Sequence, residues 1–152
     1  ILVEQRHGWL HAIDGSSMLW GRPAGERRTI RALRAPDGEV ELTAATRDGE
    51  PLWTRRVPGP ITEILALESS DERIALVTRS ITDESRGQGH EASLLLFDHD
   101  GNARCRASLR DSRITDSGRP FTLDNDSFYE LTTDEDGVKV LRTAVGGGRC
   151  GL

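Results

Sequence analysis

The chain has 152 residues, room for one self-sufficient hydrophobic core and too little for two ordinary domains. Hydrophobic residues make up 36% and charged residues 30%, which is a globular rather than a disordered balance. The net charge of −5 leaves no general attraction for nucleic-acid backbones or anionic lipid, and no apolar run reaches the roughly 18 residues of a membrane-spanning helix.

Turn signals recur along the chain. Asp-Gly pairs stand at Asp14-Gly15, Asp37-Gly38, Asp48-Gly49, Asp100-Gly101 and Asp136-Gly137. Between strands, such a pair predicts a two-residue turn, both of whose central positions take positive φ. The flanks agree with strands. Thr29–Arg34 begins with Ile30 and Ala32 opposite Arg31, and Val40–Thr46 then enters the Asp48 turn and leaves through Leu52–Val57. Ile61–Leu67 has some helical spacing, but Pro58-Gly59-Pro60 and Ser69-Ser70-Asp71 confine it to about two turns, too few for a stable helix. A strand is the better reading there. Ile74–Thr78 is a short apolar run of strand length, and Ile81–Ala92 reads as a polar loop. Ser93–Phe97 and Ala103–Leu109 flank the Asp100 turn. Phe121–Leu123, after Pro120, suits a sheet edge. Ser127–Leu131 and Val138–Leu141 flank the last Asp-Gly pair.

The fold class is therefore all-β, with short antiparallel strands and hairpins. A single domain over residues 1–145 divides into three or four hairpin-centred units, roughly 1–22, 28–57, 61–109 and 120–143, followed by a C-terminal tail at 146–152. With the Ile81–Ala92 loop set aside, similar hairpins recur about every 35 to 40 residues, as in a repeat architecture.

Two stretches carry a resemblance. Leu10-His11-Ala12-Ile13-Asp14-Gly15, followed by Leu19-Trp20, and Asp48-Gly49-Glu50-Pro51-Leu52-Trp53 resemble the repeats of quinoprotein-type and WD-like β-propellers. The tryptophan is missing from the equivalent places after Asp100 and Asp136. The resemblance implies that Trp53 packs inward on a neighbouring blade, and period-2 alternation puts it on the same face as Val57. A closed propeller takes about four to eight blades, more than this chain supplies. The expectation is accordingly a partial or oligomer-completed propeller-like array, with a β-sandwich as the alternative. Since the chain starts at Ile1 rather than Met, it reads as processed or as a piece of a longer protein.

Candidate sites are few. Asp98, Asp100 and Asn102 place oxygen-bearing side chains at alternate positions of one turn, a donor set suited to calcium. The alternative is a hairpin tip in which these side chains accept local backbone hydrogen bonds. Arg86 and His90 lie in the long polar loop, and Trp9 and Tyr129 are candidate exposed aromatic anchors. No catalytic set emerges: there is no GxSxG elbow, no phosphate loop and no zinc-hydrolase histidine pair. Cys105 and Cys150 permit one disulfide and have no metal-site spacing. Lys139 is the only lysine.

These features favour a protein-interaction or scaffold module over an enzyme, its partner being another protein or further copies of the chain, with no nucleic acid and no membrane insertion. Such a module predicts an exposed apolar patch or an uncovered sheet edge. A secreted carbohydrate-binding or calcium-dependent β domain, or a fragment of a propeller enzyme, are the alternatives. The compartment is either cytoplasmic or, after removal of a leader, extracellular.

Overall fold

The computed structural model describes residues 2–6, 9–14, 17–23, 28–46, 48–82, 89–109 and 121–145. Side chains are described over 28–46, 48–81, 89–109, 121–132 and 135–145. The chain is all-β over this extent. The strands are β1 (Leu2–Arg6), β2 (Trp9–Asp14), β3 (Ser17–Pro23), β4 (Arg28–Arg34), β5 (Val40–Thr46), β6 (Pro51–Val57), β7 (Ile61–Ser69), β8 (Arg73–Thr82), β9 (Gly89–Asp98), β10 (Ala103–Leu109), β11 (Phe121–Leu123), β12 (Ser127–Asp134) and β13 (Gly137–Ala144). Among the described residues they form three antiparallel sheets, ordered β1-β2-β3-β4-β5-β6, β10-β9-β8-β7 and β11-β12-β13. No helix here is long and apolar enough to cross a membrane.

Every sheet follows chain order, because each connection is short and returns the chain beside the strand it has just left. At Asp37-Gly38, Asp48-Gly49 and Asp100-Gly101 the loops have three residues rather than the two expected. All three share one geometry. Ala35, Thr46 and Asp98 each donate N–H to the carbonyl four residues on and accept from the glycine three residues on, Gly38, Gly49 and Gly101. Those glycines carry positive φ of 85°, 91° and 79°. A three-residue loop needs only its last residue left-handed, so the aspartate before each glycine is spared that conformation. In the last hairpin Asp134 pairs with Gly137, which places Glu135 and Asp136 at the tip.

Side-chain alternation explains the packing. From the six-stranded sheet, Ile30, Ala32, Val40, Leu42, Ala44 and Val57 meet Ile61, Ile64, Leu67, Ile74, Leu76 and Phe97 of the four-stranded sheet in one buried cluster. A second cluster joins the opposite face of the four-stranded sheet, through Ala75, Val77, Leu94 and Leu96, to Phe121, Leu123, Phe128 and Val145 of the three-stranded sheet and its C-terminal end. The four-stranded sheet thus lies between the other two and is covered on both sides. This is why Ile74–Val77 is an unbroken apolar run rather than an alternating one: each successive residue meets a different core.

The likeness to quinoprotein-type and WD-like propeller repeats does not hold. The sheets have six, four and three strands, and none of them, as described, is closed into a barrel or curled. The first sheet is continuous because β3 pairs with β4, so the segments on either side of that junction do not form separate, equal units. What the resemblance rested on, Asp-Gly followed by an apolar residue and Trp, is the signature of a hairpin loop and its outgoing strand, and it serves any meander equally well. Ile61–Leu67 is a strand, as read from the sequence. Ile81–Ala92 is a loop only in part. β8 continues to Thr82 and β9 begins at Gly89, since a ladder partner on each side lets polar residues extend the pairing.

Candidate interaction surface

The three-stranded sheet turns one face inward. Phe121, Leu123 and Phe128 point to the core, and Phe121 stacks on Phe128 with ring centroids 5.7 Å apart. Alternation sends Tyr129, Leu131, Val138, Val140 and Arg142 to the opposite face, where Tyr129 sits opposite Arg142 and Leu131 opposite Val140. Tyr129 and Leu131 are half-buried, whereas Val138 is 67% and Val140 64% exposed, the most exposed large hydrophobics among the described residues. The far face of the six-stranded sheet is different. Over β4–β6, where side chains are described, the register sets Leu33 opposite Glu41 and Glu41 opposite Arg56, and Thr43 hydrogen-bonds Thr54 at 3.3 Å, giving a largely polar surface.

Among the described residues β13 is also an edge of its sheet. Unpaired edges invite further strands, and proteins commonly blunt them with bulges, prolines, charges or shortness. The other described edges show such devices. β6 starts at Pro51 and shifts register between Ala44 and Ala45 of its partner; β7 shifts register twice; β10 shifts between Ala103 and Cys105 and carries Arg104 and Arg106. β11 has three residues. β1, with five residues, has a regular register, and its side chains are outside the described set. β13 runs eight residues in unbroken register from Gly137 to Ala144, with no proline, and Lys139 is the one charge near its start. Lys139 lies 3.5 Å from Asp136, whose side chain is 86% exposed. Arg142 donates from Nε to Ser127 Oγ at 2.7 Å.

A second constellation brings together Asp98, Asp100 and Asn102, the calcium candidates. Asp98 Oδ1 accepts the backbone N–H groups of Asp100 (3.0 Å) and Asn102 (2.8 Å), and Oδ2 accepts Asn102 Nδ2 (3.0 Å) and Arg104 Nε (2.9 Å) and Nη2 (2.6 Å). Burial, the largest single influence on this carboxyl, opposes its ionisation. Together the bonds from Asn102 and Arg104 outweigh burial and lower the pKa from 3.8 to about 2. Asp98 thus closes the loop and anchors the start of β10. Among the described residues, no group of three His, Cys, Asp or Glu side chains is arranged to hold a metal ion.

The same loop docks on β6. Trp53 donates from Nε1 to the His99 carbonyl at 2.8 Å, Arg28 donates to that carbonyl at 3.1 Å, and Arg55 donates from Nε to the Gly101 carbonyl at 2.9 Å. Arg55 also lies over the Trp53 ring, 5.9 Å from its centroid. His99 donates from Nε2 to the Ser70 carbonyl at 2.9 Å. Trp53 packs inward beside Val57 as expected, but the surface it covers is this loop. At the other end of β6, Arg34 donates to the Ile61 carbonyl and Ile61 N–H to Gly38, so the first two sheets are tied at both ends.

The remaining sequence candidates do not gather into one site. His90 is exposed on β9 opposite Ile81, far along the strand from the Asp98 loop. Arg86 and the side chain of Trp9 lie outside the described residues. Cys105 is disulfide-bonded, and the chain's other cysteine is Cys150. The sequence reading missed Val138 and Val140 as surface residues, because a valine-rich strand reads as core until the topology leaves it last in its sheet. It also missed His99 as a bridge between two turns, for which the sequence holds no local signal. No family model, curated protein or solved structure matches this chain.

Proposed function

We propose that the chain is a protein-interaction module that binds through the open face and free edge of its three-stranded sheet. The observation that supports this reading is the coincidence of exposed Val138 and Val140 with a long, regular edge strand. Exposed apolar side chains scattered singly are ordinary; two on alternate positions of a long, regular edge strand, next to Leu131 and Tyr129, form a contiguous apolar strip. The largely polar far face of β4–β6 provides the internal contrast.

The test is site-specific photo-crosslinking in the chain's natural host. A photoreactive side chain in place of Val140 is expected to give a discrete protein adduct that disappears when Val138→Lys is added. The same group in place of Thr54, on the polar face, is expected to give none. Equal labelling from both positions, or none from position 140, would overturn the reading.

A further inference from the structure

We propose that β13 accepts an extended, acidic segment of a partner protein as an added strand, a proposal that rests on the interaction reading above and specifies the partner's chemistry. The backbone sets the shape. In an antiparallel sheet, alternate residues of an edge strand turn their N–H and C=O groups away from their single neighbour, so β13 presents a ladder that an extended chain completes. Its eight residues in unbroken register offer about 25 Å of edge at the usual rise per residue.

The side chains set the partner's composition. β13 reads Gly-Val-Lys-Val-Leu-Arg-Thr-Ala: both of its charges are basic and it contains no carboxylate. Lys139 and Arg142 point to opposite faces, so a strand laid alongside meets one positive charge on each side. Directly opposed or diagonal carboxylates on that strand are attracted, and basic residues there are repelled. On the outer face, Val138 and Val140 call for apolar partners at alternate positions. Val138, Val140 and Arg142 share one face and Lys139 lies on the other, so the complementary segment sets apolar residues opposite Val138 and Val140 and carboxylates opposite Lys139 and Arg142. Asp136 stands 3.5 Å from Lys139 at the surface, and a partner carboxylate opposite Lys139 competes with it there. A second copy of β13 fits less well, because antiparallel pairing of the whole strand with itself sets Lys139 opposite Arg142.

The experiment measures binding of fluorescent peptides to the intact chain by anisotropy. The probes are a short peptide reading Glu-Thr-Val-Glu-Val, which in antiparallel register sets glutamates opposite Arg142 and Lys139 and valines opposite Val140 and Val138, its counterpart with lysine in place of glutamate, and the glutamate peptide N-methylated at alternate residues. The acidic peptide is expected to bind more tightly than the basic one by about tenfold, and to lose affinity as salt is added. N-methylation is expected to abolish binding, since it removes the donors that complete the ladder. The variant Lys139→Glu with Arg142→Glu is expected to reverse the preference; if that variant does not fold, the N-methylated probe on the unaltered chain still decides. Equal binding of the acidic and basic peptides, indifference to N-methylation, or a dimer that forms through β13 and excludes the peptide would each overturn the proposal. These results are separable from the crosslinking test. An adduct from position 140 with no peptide binding rejects the added strand and keeps the surface, whereas no adduct rejects both.

Discussion

Gly101 illustrates how much one position can be asked to satisfy. Its φ of 79° lies where side chains are disfavoured, and a Cβ built there would stand 2.7 Å from Trp53 Cδ2 and 2.8 Å from Cε3. Gly101→Ala is expected to cost about 2 kcal/mol, combining backbone strain with overpacking, as measured by urea denaturation. Adding Trp53→Phe should return part of that loss, which a double-mutant cycle reads as coupling between the two positions. Asp98 gives a prediction with a defined pH window. Its folded pKa of about 2 lies below the ordinary 3.8, so its contribution is complete above about pH 4 and fades as pH falls toward 2. Because the carboxyl is partly exposed, that contribution is set at about 1 kcal/mol rather than at the full value of the shift. Asp98→Asn is expected to be less stable by that amount at pH 7, and denaturation series at falling pH should show the two proteins converging. The Asp98–Asn102 cluster was legible in the sequence as a set of oxygens in a turn. Its docking on Trp53 and Arg55 was not, because side chains meeting carbonyls some 46 positions away leave no local pattern.

At the level of the strand, hairpins were readable where a glycine marks the loop and apolar residues alternate around it, as in β5–β6, β9–β10 and β12–β13. The extent of β8 and β9 was not readable, since Ser80, Ile81, His90 and Glu91 join the ladder through the backbone whatever their side chains prefer. Nor does a strand's composition say which side of it has a neighbour. Phe128 and Val140 belong to adjacent strands and look alike as β-formers, yet one is fully buried and the other 64% exposed. Phe128→Ala is expected to lower stability by about 3–5 kcal/mol, the usual range for emptying an aromatic site. Val140→Thr, which keeps the branched shape on an open surface, is expected to stay within about 0.5 kcal/mol. Thermal and chemical denaturation of the two variants checks the contrast.

For the molecule as a whole, the arrangement of the sheets ranks their accessibility. The four-stranded sheet contributes to both cores, and its inner strands β8 and β9 are paired on both sides. Their amides can exchange only when two packed layers part, which approaches complete unfolding. Hydrogen–deuterium exchange is expected to find the slowest amides in Ile74–Thr78 and Ser93–Phe97, with β13 among the faster strands. Uniform protection across the three sheets would contradict the layered packing. The exposed position of Lys139 has a practical corollary. As the chain's sole lysine, it is the one side chain that amine-reactive chemistry will find. Dyes, biotin or a sensor surface attached by that route would be grafted onto the strand whose partners are being sought, so tethering through the opposite sheet is the safer design.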